Sequence, residues 1–218
     1  FKYPPEQKET VIQNITIQVG RTGVLTPVAE LDPILVSGTT VSRATLHNQD
    51  EIDRKDVRIG DAVLVEKAGE IIPAVVKVLP EKRDDRSQKY DIFEAVGGKC
   101  PSCAGEILRS EGFVAWKCPN SECPAQSSNR IKQFVSRKAL DVEGVGHIVA
   151  EKLVERGLIR EALDLFSVSM ENLAQLNLGT EENSRVLGRK KAESIVKTLE
   201  RAKTAPLNRW IYALGIPQ

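Results

Sequence analysis

Long apolar runs are missing from this sequence, and so is a secretory leader. No apolar stretch approaches the roughly 18 residues of a membrane-spanning helix. No positively charged segment followed by an apolar one opens the chain. We therefore expect a cytoplasmic protein that has no membrane partner.

Aromatic residues and net charge are also scarce. Phe, Trp and Tyr make up 5% of the 218 residues, and the formal net charge is +1. A total charge near zero does not by itself indicate a nucleic-acid partner. The charge is unevenly spread, however, because residues 185–209 contain eight Lys and Arg against two Glu. Such a run is typical of either a solvated helix face or a phosphate-binding surface.

Cysteine is rare as well, and all four copies lie within 24 residues, at Cys100, Cys103, Cys118 and Cys123. The spacing is C-x2-C, fourteen residues, then C-x4-C, which predicts two thiolate pairs around one zinc ion. Two disulfides would suit a small secreted domain, which the missing leader disfavours. Iron–sulfur clusters usually have tighter spacings. Four sulfurs leave no open coordination position, so we expect a structural zinc ribbon. Phe113, Val114 and Trp116, between the two cysteine pairs, are expected to supply its apolar cover.

Residues 11–79 have the pattern of short β-strands. Ile15 and Ile17 alternate with polar residues, the period of a half-buried strand, and Pro33 predicts an interruption further on. About five strands in roughly 80 residues predict a small all-β closed barrel of the OB type, because sandwiches usually need more strands. The polar residues 80–90 predict a linker.

After the last cysteine the apolar period becomes helical. Ile131 and Phe134 have helical spacing, Ser169 can cap a short helix, and a final helix is predicted from about Arg189 to Lys203. The sequence therefore predicts an all-α domain after the zinc ribbon.

Two glycine turns open helices in this part of the chain. The first contains Gly144 and Gly146, which let the backbone turn tightly and leave the first N–H groups of the next helix uncovered. Those groups and the positive end of the helix dipole suit a phosphate oxygen. The second copy consists of Gly188, Arg189, Lys190 and Lys191, and it lacks the leading glycine. Together the copies resemble the helix-hairpin-helix element, which holds the DNA backbone without reading bases.

Several longer motifs occur in order through the barrel region. They are Val19-Gly20-Arg21-Thr22-Gly23, Thr26-Pro27-Val28-Ala29, Ser42-Arg43-Ala44-Thr45-Leu46-His47-Asn48 and Lys67-Ala68-Gly69-Glu70-Ile71-Ile72-Pro73. With the ribbon and the hairpins, they resemble the C-terminal portion of bacterial NAD-dependent DNA ligases over essentially the whole chain.

This resemblance implies a multi-domain organisation. Residues 1–90 would form the OB-fold domain, with residues 1–5 as the tail of a nucleotidyltransferase domain. Residues 91–126 would form the four-cysteine zinc finger, and residues 127–218 a truncated helix-hairpin-helix domain. We therefore expect the chain to be a segment of a larger protein.

The resemblance also implies a function. Enzymes of this family join a 5′-phosphate to a 3′-hydroxyl at nicks in duplex DNA during replication and repair, using NAD and Mg²⁺. Their nucleophilic lysine lies in a Lys-x-Asp-Gly motif, which this sequence lacks. We therefore expect no catalytic residue in this segment. It would be a monomer that binds and positions nicked DNA, and it would have no ligase activity by itself. The resemblance implies a nucleotide contact at Lys2, and we expect DNA contacts at Arg21, Arg43, Lys67, Gly144, Gly146, Gly188, Arg189, Lys190 and Lys191.

Two other functions are compatible with parts of the pattern. The chain could be a stand-alone, zinc-stabilised DNA-binding module whose barrel holds single strands. Such barrels stack bases on aromatic side chains, yet the aromatics of the barrel region (Phe1, Tyr3, Tyr90 and Phe93) all lie outside the predicted strands, which favours duplex DNA. A zinc-stabilised scaffold with no nucleic acid is the other alternative, and the basic run and the doubled hairpin argue against it.

Overall fold

The computed structural model describes residues 5–68, 72–83, 87–109, 112, 114–180 and 182–216. The chain forms two compact units, residues 1–119 and 120–218. Within the described ranges, no helix has the length and apolar character needed to cross a membrane.

A closed five-stranded barrel forms the core of the first unit, as the sequence predicted. Its strands are β1 (Gln7–Val19), β2 (Leu25–Val36), β3 (Thr39–Thr45), β4 (Ala62–Ala68) and β5 (Ile72–Val78). They follow the order β1-β2-β3-β5-β4 around the barrel, and all neighbours are antiparallel except β3 and β5. Inward-facing side chains such as Ile12, Leu25 and Val63 are fully buried and fill the interior.

The interruption predicted at Pro33 is a bulge within a strand. The pairing of β2 with β3 shifts register between Glu30 and Ile34, and Pro33 lies inside that shift. Proline has no N–H to donate to a neighbouring strand, so a bulge is one of the few strand positions that accept it. The strand β2 therefore continues to Val36.

A helix that the sequence did not predict, α1 (Gln49–Lys55), lies between β3 and β4. It begins where the Asn48 side chain accepts a hydrogen bond from the backbone N–H of Glu51, at 2.9 Å. It ends at Asp56, which has a left-handed backbone conformation. Only Ile52 supplies a buried apolar side chain, and one apolar residue leaves no helical period to detect.

The described residues of the predicted linker, 80–83 and 87–90, are bonded to the rest of the first unit. Arg83 forms ion pairs with Asp56 and with Asp61, the latter at 2.8 Å. Further along, Arg58 donates a hydrogen bond of 2.7 Å to the backbone carbonyl of Ser87. The segment then leads into the short helix α2 (Ile92–Ala95).

The second unit is helical, as predicted, but one more helix follows the helix that the sequence predicts as the final one. Its helices are α3 (Pro124–Val135), α4 (His147–Glu155), α5 (Met170–Ala174), α6 (Arg189–Ala202) and α7 (Leu207–Ala213). An aromatic group of Phe134, Phe166 and Trp210 packs with ring centroids 5.8 to 6.1 Å apart. The cap predicted at Ser169 is confirmed by a 3.1 Å hydrogen bond from the N–H of Asn172.

Candidate functional site

The four cysteines lie close together. One sulfur from each of Cys100, Cys103, Cys118 and Cys123 lies within 4.8 Å of the other three. Cys103 Sγ and Cys118 Sγ are 3.6 Å apart. Sulfurs on a tetrahedral zinc ion, each about 2.3 Å from the metal, are about 3.8 Å from one another, whereas the sulfurs of a disulfide are about 2.05 Å apart. The cluster therefore has the dimensions of a zinc site.

Tight backbone turns hold the ligands in place. The N–H of Cys100 donates to the carbonyl of Gly105 at 2.8 Å, and the N–H of Ala104 donates to the carbonyl of Cys100 at 2.9 Å. Ala104 has a positive φ of 57°, which lets the chain fold back beneath the first cysteine pair. Cys123 immediately precedes Pro124, the first residue of α3.

The chemistry of this donor set fits a structural Zn²⁺. Burial raises the pKa of the Cys100 thiol, which disfavours its thiolate when no cation is present. A zinc ion reverses that preference because it binds the deprotonated sulfur. In the part of the chain that the structure describes, the cluster contains four sulfurs and no oxygen or nitrogen ligand. When bound, the ion supplies cross-linking of the two cysteine pairs and has no position open to a substrate.

The zinc ribbon is a short ladder attached to the barrel. Lys99 pairs with Glu106, and Leu108 pairs with Lys117. On its other side, the ribbon contacts the β1–β2 turn, where the N–H of Leu25 donates to the carbonyl of Trp116 at 2.9 Å. This attachment was not predicted, because backbone hydrogen bonds between distant segments have no side-chain signature.

The apolar cover of the ribbon differs from the sequence prediction. Val114 is exposed, and Phe113 lies outside the described residues. Trp116 packs against Phe93, with ring centroids 4.7 Å apart. The ring of Phe93, from α2, therefore supplies cover that the sequence analysis had assigned to the loop between the cysteine pairs.

The three cations predicted to contact DNA from the barrel lie on different elements. Arg21 is exposed in the β1–β2 turn. Arg43, on β3, faces Glu30 across a 3.8 Å ion pair, and Lys67, on β4, donates to the Thr39 hydroxyl at 3.2 Å. Among the described residues, these three cations share no hydrogen-bond or ion-pair partner. The predicted nucleotide contact, Lys2, lies outside the described residues.

The first glycine turn has the geometry that its sequence predicts. Gly144 has φ of 91°, and a Cβ there would lie 2.8 Å from Cγ1 of Ile195. Gly146 is the N-cap residue of α4, and no side chain caps the helix with a hydrogen bond there. A Cβ at Gly146 would have no heavy atom within 4 Å. The first amides of α4 are therefore unshielded by any side chain at Gly146. The imidazole of His147, the first residue of α4, lies 3.1 Å from Lys132 Nζ.

The second glycine turn also leads into a helix without a side-chain cap, but backbone hydrogen bonds to the α5 region hold it in place. The N–H of Leu187 donates to the carbonyl of Leu176 at 2.9 Å, and the N–H of Gly188 donates to the carbonyl of Ala174 at 3.0 Å. These bonds fix the turn without a leading glycine. Gly188 has φ of 86°, precedes α6 without a side-chain cap, and has open space at its Cβ position. Arg189, Lys190 and Lys191 follow, and all three are exposed.

A longer repeat underlies the two turns. Both residues 146–151 and 188–193 read Gly-basic-x-x-Ala-Glu. Ala150 and Ala192 are fully buried, which allows close packing of the helix starts. In each copy the basic residue pairs with the glutamate four residues on, at 3.0 and 3.1 Å. The two glutamates were not predicted from the sequence, although extending the alignment of the two copies by one residue reveals them.

Comparison with known proteins gives matches to two family models. The NAD-dependent DNA ligase OB-fold domain matches residues 9–87, and the NAD-dependent DNA ligase C4 zinc finger domain matches residues 99–125. Three curated relatives align with this chain over 217 residues each. A DNA ligase of Akkermansia muciniphila is 60% identical to it, and a DNA ligase of Halothermothrix orenii is 48% identical. DNA ligase 1 of Opitutus terrae is 46% identical. These matches cover 99–100% of this chain but only 27–31% of each relative.

Proposed function

We propose, from the premise that this chain contains the OB-fold and C4 zinc-finger domains of NAD-dependent DNA ligases, that it is the nick-binding portion of such a ligase. The complete protein would seal 5′-phosphate/3′-hydroxyl nicks in duplex DNA in replication and repair. NAD would supply the AMP that activates the 5′-phosphate, and Mg²⁺ would stabilise the phosphate charge.

The residues of this chain would bind and position the DNA. The Lys-x-Asp-Gly motif of the family's nucleophilic lysine is absent from the sequence, so the AMP-accepting group is not expected in these residues. We assign residues 127–218 to a helix-hairpin-helix domain. The nucleotide contact at Lys2 also belongs to this proposal.

The observation that carries the proposal is the pair of uncapped helix starts at Gly146 and Gly188. Each helix presents backbone N–H groups and the positive end of its dipole beside open space. The cations Arg189, Lys190 and Lys191 at the start of α6 oppose the dipole of their own helix, at a cost of roughly 0.3–1 kcal/mol each at low ionic strength. A DNA phosphate at this position would offset that cost, because it would neutralise the cations and accept hydrogen bonds from the free backbone N–H groups at the start of α6.

The barrel would add further phosphate contacts through Arg21, Arg43 and Lys67. The pair between Arg43 and Glu30 is exposed and 3.8 Å long, and such pairs contribute roughly 0–1 kcal/mol. Exchanging Glu30 for a phosphate is therefore inexpensive for Arg43, whose guanidinium suits phosphate oxygens. Lys67 would similarly exchange the Thr39 hydroxyl for a phosphate.

Fluorescence anisotropy with this chain tests the proposal. Nicked duplex should bind more tightly than a single strand of the same sequence, because the predicted contacts are to duplex phosphates. Tighter binding to the single strand would support the alternative, a stand-alone module, and contradict duplex positioning. Incubation with NAD and Mg²⁺ should leave the mass of the chain unchanged, and a gain of one AMP would show that the activating nucleophile lies within these residues.

A further inference from the structure

Lys117 lies on the outer face of the zinc ribbon. Its backbone pairs with Leu108 through two 2.8 Å hydrogen bonds, and it forms a bridge with Val24 of the β1–β2 turn. Side chains alternate along such a strand, so Trp116 and Cys118 face the opposite way from Lys117. Cys118 is buried while Lys117 and its cross-strand neighbour Leu108 are exposed. The ammonium group is therefore presented to solvent.

The β1–β2 turn is held by the same strand. The turn closes through the N–H of Gly20, which donates to the carbonyl of Val24 at 2.8 Å. The N–H of Cys118 donates to the carbonyl of Gly23 at 2.8 Å. Arg21, exposed within this turn, and Lys117 therefore belong to one hydrogen-bonded unit, and a zinc ligand is part of it.

Eight of the fourteen described cations of the first unit have an acidic partner, and Arg21 and Lys117 are among the six that have none in the described part of the chain. The cations that form ion pairs are Lys8, Arg43, Arg54, Lys55, Arg58, Lys82, Arg83 and Arg109. Arg21 and Lys117 form no ion pair with any residue that the structure describes. What distinguishes Arg21 and Lys117 is that both are exposed and lie on one hydrogen-bonded ladder, without an acidic partner among the described residues, which makes a surface suited to a polyanion.

We infer that Lys117 and Arg21 bind the same stretch of DNA sugar–phosphate backbone, at the junction of zinc ribbon and barrel. This inference rests on the proposed function and adds Lys117, a zinc-ribbon residue, to the phosphate contacts. The ammonium of Lys117 contacts one phosphate as a compact point charge, and the guanidinium of Arg21 grips a phosphate through its fork.

A bound zinc ion would stabilise this surface through Cys118, whose sulfur belongs to the four-cysteine cluster. The backbone N–H of Cys118 donates to the carbonyl of Gly23, two residues from Arg21. A bound ion would therefore restrict the motion of the turn that carries Arg21 and of the strand that carries Lys117. A preorganised pair binds phosphate better than a mobile pair because less conformational freedom is lost on binding.

The test measures binding of nicked duplex to the whole chain over a range of salt concentrations. Each phosphate contact contributes about −0.9 to the slope of log K against log salt. Lys117→Gln and Arg21→Gln should each make the slope less negative by about 0.9, and the double variant by about 1.8. Lys117→Arg, which keeps the charge, should keep the slope.

The matched control is Lys89→Gln, at an exposed lysine of the same unit that has no ion pair with the described residues. It should leave the slope unchanged. Zinc content and the urea midpoint of each variant show that the ribbon is intact. A Lys117→Gln slope equal to that of the unmodified chain, with zinc retained, overturns the inference while duplex binding stands. If the unmodified chain does not bind nicked duplex, the proposed function fails and this inference fails with it.

Discussion

Gly144 of the first glycine turn lies against Ile195 of α6, so closely that a Cβ on Gly144 would stand 2.8 Å from Ile195 Cγ1. The Thr198 hydroxyl, one turn further along α6, donates to the carbonyl of Ile195 at 2.9 Å and lies 3.4 Å from the carbonyl oxygen of Glu143. The helix that begins at the second glycine turn therefore supports the first turn, and the two turns have a fixed relation within the second unit.

Replacing Gly144 by alanine should destabilise the second unit. The positive φ costs about 1–2 kcal/mol for a non-glycine residue, and the added methyl group must displace Ile195 in a packed core, which costs about 1–3 kcal/mol. Urea unfolding followed by circular dichroism measures the loss. The control is Gly146→Ala, because Gly146 has a negative φ and open space at its Cβ position. Equal urea midpoints for the two variants would contradict the packing described for Gly144.

Arg83→Ala should destabilise the first unit by about 3–5 kcal/mol, because it leaves the buried carboxylate of Asp61 without its cation. The Asp61 side chain is completely buried and also accepts from the N–H of Arg58 at 2.8 Å. The neighbouring pair Lys82–Glu9 is about half exposed, so Lys82→Ala is the matched control and should have a much smaller effect. The free energy of unfolding in urea distinguishes them. A loss for Arg83→Ala as small as that for Lys82→Ala would contradict the structural role described for Arg83.

Glu51 should make part of the stability dependent on acid pH. Hydrogen bonds from Arg54 and Lys55 lower its pKa from 4.5 to about 2. Since the folded-state pKa lies below the unfolded-state one, the carboxylate stabilises the fold above pH 4.5, and this contribution disappears as the pH falls towards 2. The stability difference between the unmodified chain and Glu51→Gln should therefore shrink across this window. Zinc loss in acid affects both proteins alike, so a constant difference would show that the Glu51 pairs do not influence folding.

Zinc should be present at one ion per chain, which elemental analysis of the purified protein measures. Cys118→Ser should abolish stoichiometric zinc and reduce the stability of the ribbon, since small metal sites contribute directly to folding. Ser102→Ala, in the same ribbon but outside the four ligands, is the control and should retain the ion. A folded ribbon with no metal and an unchanged melting temperature would contradict the site.

Local patterns made much of this architecture predictable. The cysteine spacing predicted the metal cluster because the two cysteines of each pair are only a few residues apart, so one short turn brings them together. Alternating residues such as Ile15 and Ile17 predicted the barrel because a strand with one buried face must alternate. The glycine turns were also predictable, because each glycine is adjacent in sequence to the helix that it precedes.

The missed features depend on residues that are far apart in the chain. Arg83 meets Asp61 and Asp56 across 22 and 27 residues, and nothing near Arg83 in the sequence indicates either partner. The ribbon docks through Leu25 and Trp116, whose backbone groups bond regardless of side chain. The second turn is likewise fixed by the backbone of Leu176 rather than by a second glycine.

The decisive measurement for phosphate binding at the second helix start is the salt dependence of nicked-duplex binding by the unmodified chain. We expect affinity to fall steeply with salt, and the slope to become less negative by about 1.8 when Lys190 and Lys191 are both replaced by glutamine. Lys197→Gln, two turns along the same helix, should change the slope less. Binding that does not depend on salt, or a slope unaffected by the Lys190 and Lys191 changes, would contradict a phosphate-binding helix start.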